Sequence, residues 1–160
     1  MNIFVTNYNI DKCASDHCKV HRNKMIVEYA QLMCTAHSEW GTWTESMYKP
    51  THKNHPSAIW ARTTKGNYSW LYGLWCSLLN EYERDTGKQH KSARLTKELY
   101  MDVMEPPKFT KDMLAMPDEY KKDDICLSYR NYLNSKFNEW RNREKPMRIE
   151  WNVVPSWYVA

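Results

Sequence analysis

Several chemistries are excluded by what this chain lacks. It has four glycines in 160 residues and no Gly-rich phosphate loop, internal repeat, low-complexity tract or heptad run, which argues against a dinucleotide-binding α/β fold, a solenoid and a coiled coil. No stretch of 18 consecutive apolar residues is present, and the opening MNIFVTNYNIDK has neither the basic start nor the apolar run of a signal peptide. The expectation is a protein with no membrane partner, residing in the cytoplasm. Its five cysteines, Cys13, Cys18, Cys34, Cys76 and Cys126, are odd in number and contain no CxxC pair. That pattern fits reduced thiols packed as small apolar groups better than a disulfide framework or a zinc ribbon.

What is present is aromatic and moderately basic. Eight Trp and eleven Tyr sit in a chain that is 42% hydrophobic, a composition that buries a core rather than remaining disordered. The length suits one domain spanning residues 1–160. The net charge is +4, unevenly spread. Lys49, Lys53, Arg62, Lys65, Arg84, Lys88, Lys91, Arg94 and Lys97 face only Glu81, Glu83 and Asp85, whereas Asp102 to Asp124 is acid-rich. A basic middle segment fits either a polyanionic partner such as nucleic acid or a solvated face.

Read for periodicity, the chain is mostly helical. Asp11 to His37 reads as one long helix on which His17, His21, Lys24, Glu28, Gln31 and Thr35 fall within about 80° of one another. Its second half is otherwise apolar, so the stripe either faces solvent or lines a cleft. Pro56 suits the first turn of a second helix capped by His55 or Asn54, and Asn67, after an interruption at Gly66, caps a third that ends at Gly87. Ser92 to Tyr100 reads as a short basic helix, and Asp123 or Asp124 caps a fourth long helix through Asn142. The tail from Pro146 carries Ile149, Trp151, Val153, Val154, Trp157 and Tyr158 as anchors. The expected fold is mainly α: a compact single-domain helical bundle with long irregular loops and an aromatic-rich C-terminal tail.

Two chemistries suit the stripe. His17 and His21, one turn apart, could meet a metal ion with Glu28 or other histidines, although HxxxH lacks the glutamate of HExxH. Alternatively an amine attacks a sugar or carbonyl carbon while a carboxylate assists proton transfer. Lys24 and Glu28 sit one turn apart, as such a pair requires. Ahead of the second helix, Lys53, His55 and Arg62 join free backbone N–H groups that suit a phosphate. Lys88, His90, Lys91, Arg94 and Lys97 extend that footprint or are plain surface.

The MNIF start, the ASDH…NKMIVEY pattern, the run Lys53-Asn54-His55-Pro56, the LLNEYERDTGK helix end and MPDEY before a last helix together resemble the pyrimidine-dimer DNA glycosylases of the phage endonuclease V type. In order, these segments cover most of the chain. The resemblance implies a compact, mainly helical enzyme that cuts a glycosidic bond in double-stranded DNA without a cofactor or metal, acting as a monomer. Its N-terminal α-amine would form a Schiff base with deoxyribose, aided by a glutamate on the long helix. An α-amine in water titrates at about 8, leaving a useful unprotonated fraction near neutrality.

Carried over, Met1 supplies the amine, but the family's glutamate falls on Lys24. Either Glu28 takes its role one turn later, or Lys24 is itself the nucleophile, with His17 and His21 tuning or transferring protons. Lys53, Asn54, His55, Arg62, Lys65, Lys88, Lys91 and Arg94 would contact DNA, with Trp40, Trp43 or Trp60 beside an extruded base. The alternatives are a non-catalytic DNA- or partner-binding protein on the same fold, and a His-dependent metalloenzyme.

Overall fold

A computed structural model describes all residues from Met1 to Ala160. It contains six α-helices and no β-strand: α1 (Ile10–Asp16), α2 (Lys19–Glu39), α3 (Pro56–Thr63), α4 (Lys65–Thr86), α5 (Thr96–Leu99) and α6 (Ile125–Arg141). Short 3-10 turns at Lys91–Leu95, Lys111–Met113 and Asp118–Tyr120 punctuate the connections. The expected mainly α bundle with irregular loops is the observed architecture. No helix is long and apolar enough to cross a membrane.

Helices α2 and α4 form an antiparallel pair at the centre. Trp75 Nε1 donates to Ile26 O at 2.9 Å near one end, and His37 Nε2 meets Tyr68 Oη at 2.8 Å near the other. Leu71, Leu74, Trp75 and Leu78 are fully buried, as their 3.6-residue recurrence requires. Gly87 ends α4 in the left-handed conformation (φ +68°), and its N–H reaches Glu83 O. A side chain is strained at that angle, so the terminator is glycine.

Three boundaries differ from the sequence reading. The expected long helix is broken: α1 stops at Asp16, His17 and Cys18 are extended, and α2 begins at Lys19. No glycine or proline dictates this break. Its exposed backbone groups are taken by the distant tail, Lys19 N donating to Glu150 O and Trp151 Nε1 to Asp16 O, while Trp157 Nε1 binds the Asp16 carboxylate. Interruption of the ladder is thereby offset by tertiary hydrogen bonds.

The second difference is at α4, which starts one turn earlier than expected. Thr64, not Asn67, is its cap and accepts from Asn67 N. Asn67 is instead buried, its amide donating to Trp60 O and accepting from Lys108 N, so it joins α3 to the Pro106 loop. Gly66 lies inside the first turn because that loop presses on it: a Cβ there would stand 2.2 Å from Pro106 O. The third difference is smaller, Ser92–Tyr100 being a 3-10 turn that runs into the single turn of α5.

His55 does cap α3 and Asp124 caps α6, accepting from Cys126 N and Leu127 N. The tail crosses the body as expected. Phe137 of α6 is fully buried among Trp140, Trp151, Trp157 and Tyr158. Asn134 holds the tail's backbone on both sides, donating to Trp157 O and accepting from Val159 N.

Candidate active site

Residues 3–6 are the reason a site exists at all. Ile3 and Val5 are fully buried, which fixes this extended segment on the core through two aliphatic side chains. Phe4 N donates to Tyr29 Oη (3.0 Å), and Arg130 Nε of α6 donates to Thr6 O (2.8 Å). The N-terminal segment is therefore anchored on both α2 and α6, and its first residue is delivered to the α2 face.

There the α-amine of Met1 lies 3.4 Å from Glu28 Oε2, while Lys24 Nζ lies 3.5 Å from Glu28 Oε1. The side chains of Met1 and Glu28 are 9% and 17% exposed, that of Lys24 65%. The three sit on a cleft of about 280 Å³ whose other walls are Asn2, Phe4, His21 and Met25, with Tyr132, Leu133, Lys136 and Trp140 from α6. Asn2 Oδ1, buried beside this cleft, has no hydrogen-bond partner, and buried Glu28 Oε2 has the ion pair with the amine but no hydrogen bond of good geometry.

His21 is 7% exposed and packs against Phe4 (centroids 4.6 Å), Trp140 (5.0 Å) and Phe137 (5.7 Å). Burial, with smaller contributions from the charges of His17 and Lys24, pushes its titration down to about 3. It is a neutral imidazole near pH 7. His55 approaches from the start of α3: its Nδ1 accepts from Ser57 N at 3.1 Å, which leaves the proton on Nε2. Burial first, and then the charge of the N-terminal amine, lower its titration, with Glu28 opposing.

The stripe is therefore part cleft and part scaffold. His21, Lys24 and Glu28 line the opening, but His17 does not, because the helix break turns it away. Its Nδ1 bonds Cys13 O and its Nε2 bonds Tyr29 Oη, each at 2.7 Å. With Phe4 N donating to that same hydroxyl, Tyr29 donates to His17 Nε2 and the imidazole donates to Cys13 O. His17 thus secures the N-terminal segment, and the proton-transfer role assigned to it is replaced by a structural one. The metal reading fails on the same geometry, since both His17 nitrogens are engaged and no group of three or more His, Cys, Asp or Glu residues is placed to hold an ion.

The basic residues divide into two groups. Lys53 and Asn54 are exposed ahead of α3, and Arg62 Nη1 donates to Lys53 O at 2.7 Å; of this segment His55 feels the charge of the Met1 amine, and none of it lines the cleft. Lys88, Lys91 and Arg94 belong to the bend and 3-10 turn that follow α4, and Arg94 binds Ser46 O. None of these three lines the cleft. Lys65 Nζ sits 3.4 Å above the Trp40 ring, which ties both to α4 and α2.

Of the tryptophans proposed to meet a base, Trp60 is buried, stacked on Phe109 and donating to Lys108 O, and Trp43 donates to Tyr48 O. Trp60 is a core residue because its indole N–H finds a buried carbonyl. The tryptophan on the cleft is Trp140, which the sequence reading counted among the apolar set of its helix. Tyr132, Lys136 and Trp140 recur every four residues, so one α6 face was legible; which neighbour that face meets was not.

The fold and site define a helical protein with an amine and a carboxylate paired on the wall of a cleft. No family model matches this chain, and neither a curated protein nor a solved structure matches it.

Proposed function

We propose that this chain is a DNA-acting enzyme of the base-excision glycosylase/AP-lyase type, with the Met1 α-amine as nucleophile and Glu28 as its acid-base partner. The observation that carries the reading is the 3.4 Å approach of that amine to Glu28 Oε2 on a cleft wall. It agrees with what the resemblance implies and supplies the carboxylate that the Lys24 position lacks. Met1 is preferred over Lys24 because it is mostly buried on the cleft, whereas the Lys24 side chain is 65% exposed.

In this scheme the unprotonated amine attacks C1′ of a deoxyribose and the glycosidic C1′–N bond breaks. Glu28 takes a proton from the attacking nitrogen and returns it to the departing base. Opening of the sugar ring, with a proton from solvent onto O4′, leaves a protonated imine between Met1 and C1′. No cofactor enters. Lys53, Asn54, His55 and Arg62 hold the flanking phosphates, where neutral His55 offers Nε2–H without adding charge beside the amine.

Borohydride trapping tests this. Incubation with duplex DNA carrying an abasic site, followed by reduction, is expected to give a covalent adduct on the Met1 peptide by mass spectrometry. Glu28→Gln is expected to abolish turnover while leaving DNA affinity within about twofold, since the residue faces the amine rather than the exposed basic loop. An adduct on Lys24 would reassign the nucleophile. Intact DNA binding with no adduct would make the protein a binding module.

A further inference from the structure

After α5 the chain runs YMDVMEPP from Tyr100 to Pro107 with no helix, turn or bend, and residues 101–107 form no backbone–backbone hydrogen bond. Burial alternates along it: Met101 and Val103 are half-buried, Asp102 and Met104 exposed. A two-residue alternation is that of a β-strand and not of the threefold polyproline helix. The segment is held at both ends. Tyr100 packs edge-on against Tyr72 (centroids 5.9 Å), while beyond Pro107 Lys108 N donates to Asn67 Oδ1, Lys108 O accepts from Trp60 Nε1 and Phe109 stacks on Trp60. Gly66 lets the segment lie flush on α4, since a Cβ there would stand 2.2 Å from Pro106 O and 2.8 Å from Glu105 O. Extended backbone fixed in this way has little conformational entropy left to lose when another strand pairs with it. Met104 is 96% exposed, more than any other large hydrophobic residue of the chain. Asp102 and Glu105 are exposed and belong to no ion pair, in a protein whose net charge is +4.

We infer that residues 101–105 are a docking strand, which adds to the open sheet edge of a protein partner that sets Lys or Arg against Asp102 and Glu105 and packs apolar side chains on Met104. Strand addition draws affinity from main-chain N–H and C=O groups and specificity from alternate side chains, and both are free here. Pro106 and Pro107 lack an N–H and end the ladder, so the paired length is about 16 Å at about 3.3 Å per residue. A second copy of this chain is the poorer occupant. Pairing two copies along this strand would gather four carboxylates within that length, and like charges across a ladder repel. The phosphates of DNA are repelled by the same two side chains, and the strand supplies none of the residues that line the amine cleft.

The test is nuclear magnetic resonance of the whole isotope-labelled protein, titrated to millimolar concentration with two end-blocked hexapeptides, Lys-Val-Lys-Val-Lys-Val and Glu-Val-Glu-Val-Glu-Val. The basic peptide is expected to shift the amides of residues 101–105 and to slow hydrogen exchange at alternate ones, with the acidic peptide about tenfold weaker. Met104→Ala, at a position the core does not use, should weaken the basic peptide about threefold by removing a cross-strand contact with valine. Asp102→Lys combined with Glu105→Lys should weaken it about tenfold and reverse the preference between the two peptides. Equal binding of both peptides, shifts centred away from residues 101–105, or no binding at millimolar peptide would overturn the inference. Self-association of the free protein through the same amides would overturn it in favour of a second copy.

Discussion

Two buried imidazoles set the pH response of this protein. Burial pushes His17 down to about 4 and His21 to about 3, whereas an unfolded chain titrates them near 6.5. Because both folded values are depressed, the unfolded state binds more protons below that value, and stability is lost as pH falls from about 6.5 toward 4. Each group contributes on the order of 2–3 kcal/mol across that window. Thermal melts at pH 7 and pH 4.5 should therefore differ by well over 5 °C. His17→Gln, which retains a donor and an acceptor at the Tyr29 junction, should flatten that profile by about half. An unchanged profile would mean that His17 titrates alike in the folded and unfolded chain.

At the scale of elements, the N-terminal segment and the Gly66 turn are the two places where small changes have large effects. Tyr29→Phe removes the acceptor for Phe4 N and the donor to His17, at a cost of about 1–3 kcal/mol for the stranded groups. It also loosens the segment that carries Met1, so trapping by Tyr29→Phe is expected to slow more than DNA binding weakens. Gly66→Ala would drive a methyl group into Pro106 O at 2.2 Å. Backbone cannot yield there as a flexible side chain can, so a loss of about 2–4 kcal/mol is expected in denaturant titration. Gly73→Ala is the control. Its new Cβ would meet only Ile10 Cδ1, at 2.7 Å, and the far end of an isoleucine can rotate away.

Across the whole molecule, the tail and the charge distribution act at long range. Trp151 and Trp157 reach back to Asp16, and Asn152 binds the Asp85 carboxylate that also pairs with buried Arg22. The C-terminal fifteen residues thereby fasten α1, α2 and α4 to α6. Charge is concentrated in the opposite sense, on exposed Lys49, Lys53, Lys88 and Lys91. If the Lys53 loop holds DNA beside the cleft, Lys53→Gln should reduce the slope of log affinity against log salt by about 1. Lys91→Gln, on a segment remote from the cleft lining, should change that slope less. Equal effects would indicate one continuous DNA-binding face.

How much of this was legible beforehand depended on how local the cause was. The α3 and α6 caps, the Gly87 terminator, the core face of α4 and the mainly helical class follow from side chains acting on backbone within a few residues, and amino-acid order alone determined them. Lys24 and Glu28 were likewise legible as neighbours, since 3.6 residues per turn places positions four apart side by side. The break at His17 and Cys18, the early start of α4 and the α6 wall were not, because each answers to a partner far along the chain: Glu150, Trp151 and Trp157 for the first, Pro106 and Lys108 for the second, residues 1–4 for the third. The approach of Met1 to Glu28 belongs with these. Only burial of Ile3 and Val5 between helices, a gain that exists once the core has formed, brings that amine to that carboxylate.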